Sequence, residues 1–160
     1  MIMRFRQLFR DRRGNSVIEL ALFAPVIATF LVGMSDLALG LTRKFQIEQA
    51  SYRALELITV GSLQSDYNAY VKPEAATAAG VPLANVKVYT RLDCDSTVKK
   101  AFSETPFTVT DVCTSSQQTS RFVRVEVVTD YEPTFSYMAD LMGGADGKVR
   151  LTSRSTLRVQ

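Results

Sequence analysis

A run from Val17 to Leu41, interrupted by charge only at Glu19 and Asp36, limits what this chain can become. Wound as a helix, such a run extends roughly 38 Å, enough to cross a hydrocarbon layer of about 30 Å with some tilt. Five arginines (Arg4, Arg6, Arg10, Arg12, Arg13) precede it, and only Arg43 and Lys44 follow closely. Basic flanks stay on the cytoplasmic side, so the expected topology is N-terminus in and body out. The remainder of the 160 residues is enough for one small exported domain.

The net charge of +3 suggests a basic protein until it is located. Residues 1–14 hold those five arginines against Asp11, whereas the rest has 14 Lys or Arg against 15 Asp or Glu. Nucleic-acid binding needs basic groups gathered on a folded surface. Here the excess lies ahead of the apolar run, so no nucleic-acid partner is expected. The chain has no histidine, which removes Ser-His-Asp and Cys-His nucleophiles and imidazole metal sites. Two cysteines cannot build a four-thiolate zinc site. No acid pair sits in a catalytic context, so the expectation is a non-enzyme without metal or cofactor.

Three readings compete for the N-terminal segment. An ordinary signal peptide fits the basic start, and Ala38-Leu39-Gly40 offers a small-residue cleavage site, but the run is long and opens on a carboxylate. An uncleaved single-pass anchor, with the body serving as an assembly or scaffold factor, fits as well. The third reading is a prepilin. Gly14 ends the basic leader, and Glu19 is the fifth residue after it. Cleavage after Gly14 would place a new amino group on Asn15, one helical turn from Glu19 and at the positive end of the helix dipole. An ionisable group in an apolar helix is costly and marks a functional candidate. Glu19 would neutralise an amine within a helix bundle; the plainer reading is a solvated carboxylate at a helix start. Asp36 lies either at the outer interface or within the apolar layer with a partner. Pro25 should loosen the helix locally.

The stretch Arg12-Arg13-Gly14-Asn15-Ser16-Val17-Ile18-Glu19-Leu20-Ala21-Leu22-Phe23-Ala24-Pro25-Val26-Ile27 resembles the start of TadE-like proteins. These are minor pilins, or pseudopilins, of Flp (Tad) type IV pilus systems. Gly33-Met34-Ser35-Asp36-Leu37 fits the glycine and acid near the outer end of their helix. The resemblance covers residues 12–60. Asp36 stands where the family usually has glutamate, and Leu20 where phenylalanine is common. The resemblance implies cleavage between Gly14 and Asn15 by a prepilin peptidase and an assembly role for Glu19. It also implies other pilins, the inner membrane and the pilus assembly platform as partners. The head would be periplasmic, or extracellular once in a pilus.

Beyond the run, residues 42–63 have good helix formers, with Leu41, Phe45, Ala50, Ala54, Leu57 and Ile58 as the apolar series and Gly61-Ser62 as the stop. A second helix is expected to open at Lys72-Pro73-Glu74 and end at Gly80, before Pro82. Then the period changes to two. Asn85–Leu92 and Arg121–Asp130 read as strands, Phe107–Val112 as a weaker one, and Lys148–Val159 as the clearest, with arginines on its solvated face. That basic face is solubilising or meets an acidic neighbour. Cys94 and Cys113 in an exported domain read as a disulfide, two buried thiols being the alternative. Asp93, Asp95, Glu104 and Asp111 match no calcium-loop spacing and read as a solvated loop. Residues 114–120 and 142–147 read as an exposed polar segment and a flexible turn.

The resulting organisation is a 1–14 leader, a 15–41 transmembrane or assembly helix, its 42–63 amphipathic continuation and a 64–160 head. The fold class is α+β, pilin-like: a long N-terminal helix, then a second helix and an antiparallel sheet.

Overall fold

The structure, a computed structural model, describes residues 15–60, 67–108 and 110–159. The expected leader with Gly14 and the expected stop at Gly61-Ser62 lie outside the described residues. The chain is α+β: a long N-terminal helix, a second helix and a four-stranded antiparallel sheet. It divides into two compact units, residues 1–38 and 39–160.

The first helix, α1, spans Asn15–Val60. Up to Leu37 its large apolar side chains are exposed, Val32 alone being half-buried. It is the one described helix long and apolar enough to cross a membrane. Within the second unit, α1 buries Ile47, Ala50, Ser51, Ala54, Leu55 and Ile58. Their spacing of i, i+3, i+4, i+7, i+8 and i+11 is one stripe of a helix. Leu41, Phe45 and Leu57, counted in the expected apolar series, are exposed instead. At about 100° per residue, Phe45 and Leu41 lie about 140° and 180° around the axis from Ala50, so one core cannot take all three.

The second helix, α2, spans Tyr67–Ala79, five residues longer at its start than expected. Pro73 therefore sits inside the helix rather than in its first turn. Val71, ahead of it, is buried with Ala75, Ala76 and Ala79, so core packing extends the helix past its proline. The helix ends as the sequence suggests. Gly80, at φ +61°, donates to Thr77 O at 3.2 Å and Val81 to Ala76 O at 3.0 Å. This pair of bonds is a Schellman motif, which favours glycine at that position. A single 3₁₀ turn, Leu83–Asn85, leads into the sheet.

The strands are β1 (Val86–Cys94), β2 (Thr97–Ser103), β3 (Thr119–Tyr131) and β4 (Val149–Arg158), in the spatial order β2-β1-β3-β4. All pairs are antiparallel. The inner face carries Val86, Val88, Thr90 and Leu92 of β1 and Val123, Val125, Val127 and Thr129 of β3, all buried. Much of this face and the α1 and α2 stripes share one core. On β4, Val149, Ser153 and Ser155 are buried while Arg150, Arg154 and Arg158 are exposed, the alternation expected of Lys148–Val159.

Three elements differ from expectation. β2 is an unforeseen strand, joined to β1 through Asp95-Ser96, both at positive φ (49° and 65°). A two-residue turn with both φ positive is the hairpin type that matches strand twist, usually marked by Asn-Gly. Asp95 tolerates it because its Oδ1 accepts from Gln118 N at 2.8 Å while its own N–H donates to Gln118 O at 3.0 Å. Phe107–Val112 is not a strand. Asp111 accepts from Thr108 N at 2.8 Å and from Lys100 Nζ at 2.7 Å, which folds the segment into a turn against β2. Between β3 and β4 lies a short helix, α3 (Ser136–Leu141), also unforeseen. Gly144 follows it in a tight return, where a Cβ would meet Lys148 O at 2.1 Å.

Candidate functional site

In the first unit the polar side chains that can be placed are few, and two of them bond within their own helix. Thr29 Oγ1 donates within its own helix to Pro25 O at 3.1 Å or Val26 O at 2.9 Å, and Ser35 Oγ to Leu31 O at 2.9 Å. Hydroxyls turned back on their own backbone need no outside partner, which lets them sit among apolar side chains. Asn15 is the first described residue and already helical. Glu19, one turn further, is exposed among exposed Val17, Ile18, Leu20 and Leu22. Asp36 is different. With Ser35 and Leu37 exposed beside it, Asp36 is 1% exposed and engaged in a polar interaction. Glu19 and Asp36 are 17 positions apart, about 25 Å along the axis, so they act separately.

In the second unit, Cys94 and Cys113 form a disulfide with Cα atoms 5.7 Å apart. It closes a loop that can contribute roughly 3 kcal/mol by restricting the unfolded chain. The bridge ties the end of β1 to a segment that β2 also holds. Lys99 donates to Val112 O, and Lys100 to Pro106 O at 3.3 Å besides its ion pair with Asp111. The Lys100 hydrogen bond, followed by those from Thr108, holds the Asp111 carboxyl below its ordinary pKa.

The four acids expected to be solvated are mostly committed to partners. Asp93 is buried and takes two bonds from the Arg91 guanidinium, at 2.7 and 2.8 Å. Glu104 pairs with Lys87 at 3.2 Å, and Asp95 and Asp111 hold the turns described above. Among the described residues no three metal-type ligands converge.

The outer face of the sheet is a lattice of arginines, acids and rings. Arg154 meets Glu126 at 3.0 Å and Arg150 meets Asp130 at 3.8 Å, each across the β3–β4 ladder. Arg124 lies 3.7 Å from the Phe102 ring centre, and Arg91 lies between Phe102 and Phe122 at 5.6 and 5.8 Å. The basic face expected on β4 is thus partly neutralised within the sheet.

Three features had no counterpart in the sequence reading. Ser51 Oγ, buried in α1, lies 2.9 Å from Ser153 Oγ and 2.7 Å from Ser155 Oγ on β4. Lys44 caps the carbonyl of Thr152 on the same strand. Phe135, Tyr137 and Leu141 form an exposed apolar group around α3. The signals available for α3 were Pro133 ahead of it and Gly143-Gly144 behind.

Comparison with family models, with curated proteins and with solved structures finds no match for this chain.

Proposed function

We propose that this chain is a minor pilin, a pseudopilin of the TadE-like kind, matured by cleavage between Gly14 and Asn15 and active in pilus assembly rather than catalysis. The observation that carries the reading is the split character of α1. Its first half exposes apolar side chains all round, with Glu19 among them, while its second half supplies the stripe on which the head is built. A helix retained on the mature protein would serve as membrane anchor first and packing rod later. Leu41, Phe45 and Tyr52, exposed on α1 in the head unit, add apolar surface for neighbouring subunits. Glu19 then answers the amine created at Asn15, its own or a neighbour's. The disulfide suits a head that folds outside the cytoplasm. Partners on this reading are a prepilin peptidase, other pilins and the inner-membrane assembly platform.

The test is the mature N-terminus. Intact-mass analysis of protein co-expressed with a prepilin peptidase should begin at Asn15, and Gly14→Ala should abolish the size shift. A chain that keeps residues 1–14 would favour the uncleaved anchor, and one that begins at Leu41 would mean the helix is a discarded signal.

A further inference from the structure

We propose that the segment from Phe135 to Met142 rests on the lipid surface beside the point where α1 leaves the membrane, a contact that presupposes the membrane-anchored reading of α1. The starting point is Gly40, the penultimate residue of the apolar run and itself buried. A Cβ there would lie 3.3 Å from the Tyr131 ring and 3.4 Å from the Met142 methyl group. Tyr131 closes β3 and Met142 caps α3, so the connection between them is docked at the outer end of the run. Since α3 is six residues long, about 9 Å, none of it lies far from Gly40.

The exposed side chains of this connection are apolar and aromatic. Phe135 is 40% exposed, Tyr137 51% and Leu141 77%, the last being the most exposed large apolar side chain among the described residues. Tyr137 and Leu141 are one helical turn apart and share a face, while Ala139 on the other side is buried. The rings of Phe135 and Tyr137 pack against each other at 5.6 Å between centres. A tyrosine with an apolar body and a polar tip, next to phenylalanine and leucine, is the composition that favours the boundary between acyl chains and headgroups. Leu39 and Leu41, on either side of Gly40, are exposed too, so apolar side chains stand on both sides of the residue against which the connection packs.

Charge argues for an apolar contact rather than an electrostatic one. Asp140 and Asp146 are exposed, and the nearby Lys148 is taken by Glu132 at 2.6 Å. The segment has no basic excess with which to seek anionic lipid, so the contact should not depend on anionic headgroups or on salt.

The chain has no tryptophan, so one introduced indole reports its own surroundings. Leu141→Trp, Phe30→Trp and Val98→Trp would each be made in the full chain and reconstituted in phosphatidylcholine vesicles, with and without brominated acyl chains. Quenching of Leu141→Trp and Phe30→Trp, with Val98→Trp on β2 untouched, is the expected result. It should persist when phosphatidylglycerol is added, and Tyr137→Trp should repeat it should Leu141→Trp misfold. An unquenched Leu141→Trp beside a quenched Phe30→Trp overturns the contact and leaves the anchor standing. An unquenched Phe30→Trp removes the anchor and the contact together. Equal quenching of Val98→Trp overturns the proposal, because the head would then be adsorbed without preference. A blue shift of Leu141→Trp that grows with protein density but not with brominated lipid also overturns it, in favour of a second copy.

Discussion

Between Val17 and Leu37, α1 turns its large apolar side chains outward, Val32 excepted; between Ile47 and Ile58 it turns one stripe inward. Both halves are helical, and only the second is patterned. A periodic stripe identifies a protein neighbour on one side and water on the other. Apolarity without period identifies surroundings that are apolar on every side, a bilayer or a bundle of similar helices. One helix thus carries two patterns in succession.

The sharpest way to break this contrast is to truncate a side chain in each half. Ile47→Ala should cost the head about 2–5 kcal/mol, read from denaturant midpoints in mild detergent, because the site is fully buried. Phe30→Ala in the same assay should leave the head unchanged; an equal loss would mean that the halves are not energetically distinct. Removing the disulfide with Cys94→Ser and Cys113→Ser together should cost roughly 3 kcal/mol, and reduction of the native chain should match it.

The serine cluster refines the comparison, since it is a polar contact inside the patterned half. Ser51→Ala strands the hydroxyls of Ser153 and Ser155 and should cost about 1–3 kcal/mol. Replacing all three by alanine should cost less than the single change, because no buried hydroxyl is then left without its neighbour. A triple variant weaker than the single one would refute that account.

The smallest effect concerns acid. Asp111 and Glu132 have carboxyl pKa values held low, by the hydrogen bonds from Lys100 and Lys148 respectively. A depressed folded-state pKa gives stability that is complete above the ordinary carboxylate value and is lost as pH falls through the lower, folded one. Head stability should therefore decline below about pH 4. Asp111→Asn should flatten that decline more than Glu132→Gln, whose ion pair is largely exposed and screened.

How much of this was legible follows from what a single sequence encodes locally. The alternation in β3 and β4 states which side chains face inward because a strand has only two faces. The end of α2 is written in Gly80 and Pro82. The phase of the α1 stripe is not, since Ala50 and Ala54 are compatible with several apolar sets and the sheet chooses among them. β2 escaped because its turn is made by Asp95-Ser96 without glycine, and its residues Thr97–Lys99 are exposed on both faces. Asp93 looked like part of a solvated loop because its partner, Arg91, is recognisable only once both project from one side of a strand.

The candidate site divides in the same way. Cys94 and Cys113 could be paired from composition and the expectation of an exported domain. The spacing of Glu19 from Gly14 is local and needs no fold to be noticed, but Gly14 lies outside the described residues. The apolar group around α3 depends on where distant segments arrive, which local pattern does not specify.

The link between Ser51 and β4 has a mechanical consequence. Three interlocked hydroxyls, with Lys44 gripping the Thr152 carbonyl one strand position away, fasten the helix to the strand at the sheet's margin. Tension along the helix would therefore reach β4 through these polar links, besides reaching β1 and β3 through the shared apolar core, and β4 is itself held to β3 by a ten-residue ladder.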